Sequence, residues 1–293
     1  MRDTIQLQAP DTRASSYDII AHRMDAYRNA YVRAREKCLA GDTNAVHDMR
    51  VALRRLIAAV ELLQSLTPNA LADSLPKKIY KRLLLFSELR DVQVLRKYFT
   101  KLTPGHPGIR RLTDTLRKRE TALAKNLPRI SRKPSANFIT DAMITGLTAL
   151  MEKIVETETE TFIRKRMEAL LDAEYSNIRR LAKKVAPHKQ KTIHKTRVAL
   201  KRVRYLQELC IGIVPDVTDE GVNELKTLQS CMGTAHDCDV MLDTLYSYKE
   251  EYSMKKADFA YIRQKLLNRR SDAIGETMQH IQILNAYGIR TTP

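Results

Sequence analysis

"VHDMRVALRRL" (residues 46–56) decides how this chain is read, because "IHKTRVALKRV" (residues 193–203) repeats it in the second half. Over 47–56 against 194–203, six of ten positions are identical, and Lys201 keeps the charge of Arg54. A second pair of segments follows in the same order. "LFSELRDVQVL" (85–95) and "CMGTAHDCDVM" (231–241) share Asp91/Asp237 and Val94/Val240, with Ser87 against Gly233 and Arg90 against His236. Order and spacing are both kept, so the chain reads as two copies of one four-helix unit, most simply related by a pseudo-twofold.

Each motif has helical period. At about 100° per residue with His47 at zero, Arg50 falls near −60°, Arg54 near −20° and Arg55 near +80°. Leu53, Leu56, Val60 and Leu63 fall on the opposite side. The second copy places His194, Arg197, Lys201 and Arg204 together with Arg202 at the edge, and Leu200 and Val203 opposite. A single helix of this kind reads as a solvated face. Here the charges have almost no acidic i±4 partners and the cluster occurs twice. Like charges three and four apart are mildly destabilising, and a bound polyanion is the simplest compensation.

Composition agrees. The 293 residues carry 51 Lys plus Arg against 34 Asp plus Glu, a net charge of +17, which fits a polyanionic partner. Helical periodicity predicts helices near 15–39, 43–66, 75–99 and 108–127, then a break at "LPRISRKPSAN" (127–137). A helix from about 138 bends or breaks before 185, and others follow near 189–212, 219–248 and 256–286. Asp42-Thr43-Asn44 offers capping chemistry ahead of the first motif, and Pro187 marks the break ahead of the second. No apolar run approaches the roughly 20 residues of a spanning helix, and the N-terminus lacks a secretion signal's apolar core. Cys38, Cys210, Cys231 and Cys238 have no metal-ligand spacing and read as small buried hydrophobes in a reducing, cytoplasmic setting.

These motifs resemble the CHAD family, the conserved histidine α-helical domain, from about residue 15 to 286. The resemblance implies an all-α fold of two four-helix-bundle-like repeats about a basic central pore or groove that binds inorganic polyphosphate. It implies a single CHAD domain over 12–293, with repeats of about 12–135 and 136–293 and no separate catalytic domain. Residue by residue, it assigns binding to His47, Arg50, Arg54, Arg55, His194, Arg197, Lys201, Arg202 and Arg204. Secondary candidates are Arg28, Tyr31, Arg35, Arg90, Arg119, Lys226, His236 and Arg269.

Polyphosphate presents closely spaced oxygens without bases, so it needs arginine forks and lysine charges and no stacking platform. The sequence has no Trp and five Phe, and its Tyr residues do not interleave with the motifs. The expected protein is therefore not an enzyme and needs no cofactor or metal; its partners are polyphosphate and the granules it forms, with no membrane. "HD" at 47–48 and 236–237 hints at a metal phosphohydrolase, but Lys195 follows the second motif histidine and the basic face would repel a cation. "ETETETF" (156–162) lacks the lysine of a CYTH-type triphosphate tunnel and reads as a charged surface stretch. The alternative is a helical nucleic-acid-binding or scaffold protein using the same surface. The histidines are expected to gain protons with bound phosphate and tighten binding as pH falls to about 6.

Overall fold

A computed structural model describes residues 14–67, 70–102, 106–133, 149, 152, 154, 158–252 and 254–286. Among them the secondary structure is helical, with no strand.

Helix α1 (Ser16–Leu39) starts at a capping box, in which the Ser15 hydroxyl accepts from the Asp18 N–H and the Asp18 carboxylate accepts from the Ser15 N–H. Its residues Ile20, Met24, Tyr27, Tyr31, Ala34 and Cys38 recur every three or four positions and are all buried. Helix α2 (Ala45–Leu66) carries the first motif. Val46, Met49, Leu53, Leu56, Val60 and Leu63 are fully buried, and Ala45, Ala52, Ala59 and Leu66 bury a second flank. Only a narrow strip of α2 is left for charge. At its start Asp42 accepts from the Asn44 N–H at 2.9 Å, while the Asn44 side chain makes no capping bond.

The helix expected over 75–99 is two: α3 (Ala70–Leu84) and α4 (Ser87–Leu102), parted by a turn at Leu85 and Phe86. Phe86 is buried there with Arg82 over its ring at 5.1 Å. Breaking the helix sends Leu75, Ile79, Leu83 and Phe86 into one core and Val92 and Phe99 into another. Helix α5 (Pro107–Ala124) meets the expectation over 108–127, whereas the break expected from 127 opens with a short helix, α6 (Leu127–Ser131), started by Pro128. The expected start of a helix near 138 and the boundary between repeats lie outside the described residues.

The second half has α7 (Glu160–Ala182), α8 (Gln190–Cys210), α9 (Asp219–Tyr252), α10 (Lys256–His280) and α11 (Ile283–Ala286). Within "ETETETF", Glu160 is exposed, as expected of a surface stretch, and its carboxylate accepts from the Ser16 N–H at 3.0 Å, joining the start of α7 to α1. The 34-residue α9 runs unbroken where α3 and α4 are separate. Its first half supplies Leu225, Leu228, Met232 and Ala235 to the larger core; Cys238, Met241, Leu242, Leu245 and Tyr248 join the smaller one, with Phe99, Leu112 and Leu266. The four cysteines are buried and free.

Helices α2 and α8 lie against each other within the larger core. Apolar packing at both ends therefore leaves the polar strips of α2, α4, α8 and α9 facing one another.

Candidate anion-binding cavity

Those strips enclose a cavity of about 590 Å³. From α2 come His47, Arg50 and Arg54; from α8, Arg197, Lys201 and Arg204; from α4, Arg90, Lys97 and Lys101. His236 and Asp237 of α9 and Arg269 of α10 complete the charged wall with Asp91. Among the described residues the lining thus sets nine arginines and lysines against two aspartates. An adjoining cavity of about 560 Å³ shares Tyr98, Arg197, Gln229 and Asp237 with the first and adds Lys226 and the hydroxyls of Thr227, Ser230 and Thr234.

Burial, and after it the crowding of like charge, shifts the titration of several groups in the wall. Burial, then Arg197, Arg54 and Arg50, push the Lys201 ammonium down to about 6. Burial and Arg54 lower Arg50 to about 10. His236 is pushed down to about 4 by burial, Arg197, His194 and Lys201, so it is neutral in the empty cavity near neutral pH. Asp91 and Asp237 are raised by burial, which outweighs the arginines beside them. An anion that restores the ordinary basicity of Lys201, Arg50 and His236 is favoured there.

The expected residues divide. His47, Arg50, Arg54, Arg197, Lys201 and Arg204 of the motifs line the larger cavity, as do Arg90, His236 and Arg269. His194 is exposed beside it, its ring 4.7 Å from that of His236. Two motif arginines turn elsewhere. Arg55 is buried and donates to Glu208 at 2.8 Å, and the same carboxylate accepts from Arg204 at 2.8 Å. Arg202 reaches Glu61 at 3.2 Å and Glu174 at 3.3 Å on the far side of α8. In both motifs the second basic residue of the adjacent pair therefore meets an acid outside the cavity.

Of the remaining secondary candidates, Lys226 lines the adjoining cavity. Arg28 pairs with Asp25, Tyr31 is buried in the larger core, Arg35 donates to the Ser131 carbonyl and Arg119 pairs with Glu88. All four lie outside both linings. Sequence reasoning missed Lys97 and Lys101. Their spacing of seven and eleven residues from Arg90 along α4 is the signal that would have found them.

The buried Asp239 carboxylate accepts from Arg270 at 2.5 Å. Among the described residues no group of three His, Cys, Asp or Glu is placed to hold a metal ion, and no helix is long and apolar enough to cross a membrane.

The CHAD domain family model matches residues 22–246. The chain belongs to the CHAD family. In fold, this CHAD domain is similar to the crystal structure of the CHAD domain from the plant Ricinus communis, with a TM-score of 0.74, 19% identity, and 96% of each chain covered. It is also similar to PptA from Streptomyces chartreusis, with a TM-score of 0.60, 13% identity, and 92% of this chain and 100% of that one covered. No curated protein matches it in sequence.

Proposed function

We propose that this CHAD domain binds inorganic polyphosphate in the cavity between its two motif helices, as a cytoplasmic binding protein without a catalytic step. The observation that carries this reading is the lining itself: cationic side chains from α2, α4 and α8, with Arg269 of α10, converge on one space. Guanidinium forks and ammonium groups at that density match a chain of phosphate oxygens. We read the cavity as the basic pore or groove of two repeats about a pseudo-twofold. The matching order of the two motifs and the apposition of α2 and α8 support that reading.

The aromatic rings in the lining favour polyphosphate over a nucleic acid. Tyr98 has Arg269 over its ring at 5.4 Å, and Tyr205 has Arg204 over its ring at 4.3 Å. Each ring thus already has a face covered by a guanidinium, which reduces its use as a base-stacking platform.

Salt dependence would not separate the two ligands, since both release counter-ions. Competition does. A titration with polyphosphates of increasing length, against DNA, RNA and triphosphate, is expected to show affinity rising with length. Nucleic acid that displaces polyphosphate readily, while polyphosphate fails to displace it, would replace this reading with the nucleic-acid one.

A further inference from the structure

Arg50 and Arg197 hold the same position in the two motifs but are held differently. Arg50 Nη1 donates to the Ser87 hydroxyl at 2.6 Å and to the Leu83 carbonyl at 3.1 Å. That carbonyl is within reach because the helix ends at Leu84, so the break between α3 and α4 creates the second acceptor. The other half offers neither. Ser87 is matched by Gly233, which has no hydroxyl, and α9 passes through this position as continuous helix.

Arg197 lies against that glycine. A Cβ on Gly233 would sit 3.4 Å from Arg197 Nε and 3.6 Å from Nη2. Nε is buried and has no hydrogen-bond partner among the described residues. An unpartnered buried guanidinium N–H is costly, and glycine in a helix interior is unfavourable in its own right. Both costs fall on a side chain that lines both cavities. Burial lowers the basicity of the Arg197 guanidinium, and Asp237 beside it offsets part of that.

We propose that Arg197 is the arginine of the pair that grips phosphate, that Gly233 leaves its guanidinium uncommitted, and that Arg50 is a positioning residue bracing α2 against the α3–α4 turn. This rests on the polyphosphate reading and adds a polarity to it. The bound chain is held at the junction of the two cavities, nearer the second motif than the first.

The test is calorimetric titration of the full chain with long-chain polyphosphate, paired with thermal unfolding of each variant. Arg197→Ala is expected to weaken binding about tenfold or more while its unfolding temperature stays level or rises. Arg50→Ala is expected to lower the unfolding temperature, with an affinity loss within about threefold. Gly233→Ser, which offers Arg197 the hydroxyl that Arg50 already has, is expected to weaken binding about fivefold, and Ser87→Gly to leave it level or tighter. Gly233→Ala adds the Cβ alone and is expected to stay within about twofold of the parent. Equal losses for the two arginines, or Gly233→Ser and Ser87→Gly shifting affinity in the same direction, would overturn the assignment while leaving polyphosphate binding intact. A parent protein that binds no polyphosphate would remove the function and the assignment together.

Discussion

Arg55 of α2 and Glu208 of α8 form an ion pair of 2.8 Å in the interior, joining the two motif helices behind the cavity. Arg204 shares the carboxylate at 2.8 Å, and its own Nε donates to Gln229 at 3.0 Å. One buried carboxylate thus holds two guanidiniums, one in the core and one in the wall. Removing one member of a buried pair leaves charge without compensation, which is why breaking it costs more than the intact pair contributes.

Glu208→Gln is accordingly expected to destabilise the fold by about 3–5 kcal/mol, measured by urea unfolding. Arg55→Ala should cost less, because Glu208 keeps Arg204. Polyphosphate affinity of the folded Arg55 variant is expected to match the parent, and a loss comparable with that of Arg54→Ala would return Arg55 to the binding wall.

The pH response is expected to follow Lys201 before the histidines. Its ammonium titrates at about 6 in the empty cavity, and a bound polyanion moves it back towards 10.5. Binding therefore takes up protons between those values, and affinity falls as pH rises above about 6. Stability of the empty protein runs the other way: the unfolded chain binds the extra proton in that window, so the fold gains stability as pH rises through it. His236 adds a similar uptake from about 4 upward. Calorimetry near pH 7.5 in buffers of different ionisation enthalpy reads the uptake, and Lys201→Arg should reduce it. Heats independent of the buffer would exclude the mechanism.

Neighbours in sequence should separate in effect. Arg54→Ala and Lys201→Ala are expected to weaken polyphosphate binding about tenfold each, as losses of charge-assisted contacts. Arg202→Ala should change it by less than about twofold, since Arg202 is committed to Glu61 and Glu174. Equal effects from Lys201 and Arg202 would show that net charge, and not the cavity, governs affinity.

Phe86 holds the turn between α3 and α4. Phe86→Ala is expected to destabilise by about 3–5 kcal/mol, read as a lowered midpoint in thermal or urea unfolding. It also removes the ring beneath Arg82. Because Arg50 is anchored on Leu83 and Ser87 either side of that turn, the variant should weaken binding only modestly. A stability change under about 1 kcal/mol would mean that the turn does not depend on the buried ring.

Helical periodicity, the duplication and the cationic strip of each motif helix are properties of local order, and they were legible in residues 46–56 and 193–203 alone. So was the pairing of Arg50 with Arg54 on one face of α2 and of Arg197 with Lys201 on one face of α8, because a 3.6-residue period places each pair within a single arc. The fate of residues at the edge of the arc was not. Arg55 turns inward because Glu208 waits there, 153 positions away in the chain, and Arg202 turns outward to Glu61 and Glu174. The break at Leu85 and Phe86 likewise answers to a distant core, and α9 passes the corresponding point unbroken. Period is set by the backbone over a few residues; the choice of acid, ring or cavity for each marginal side chain is set by helices that only folding brings alongside.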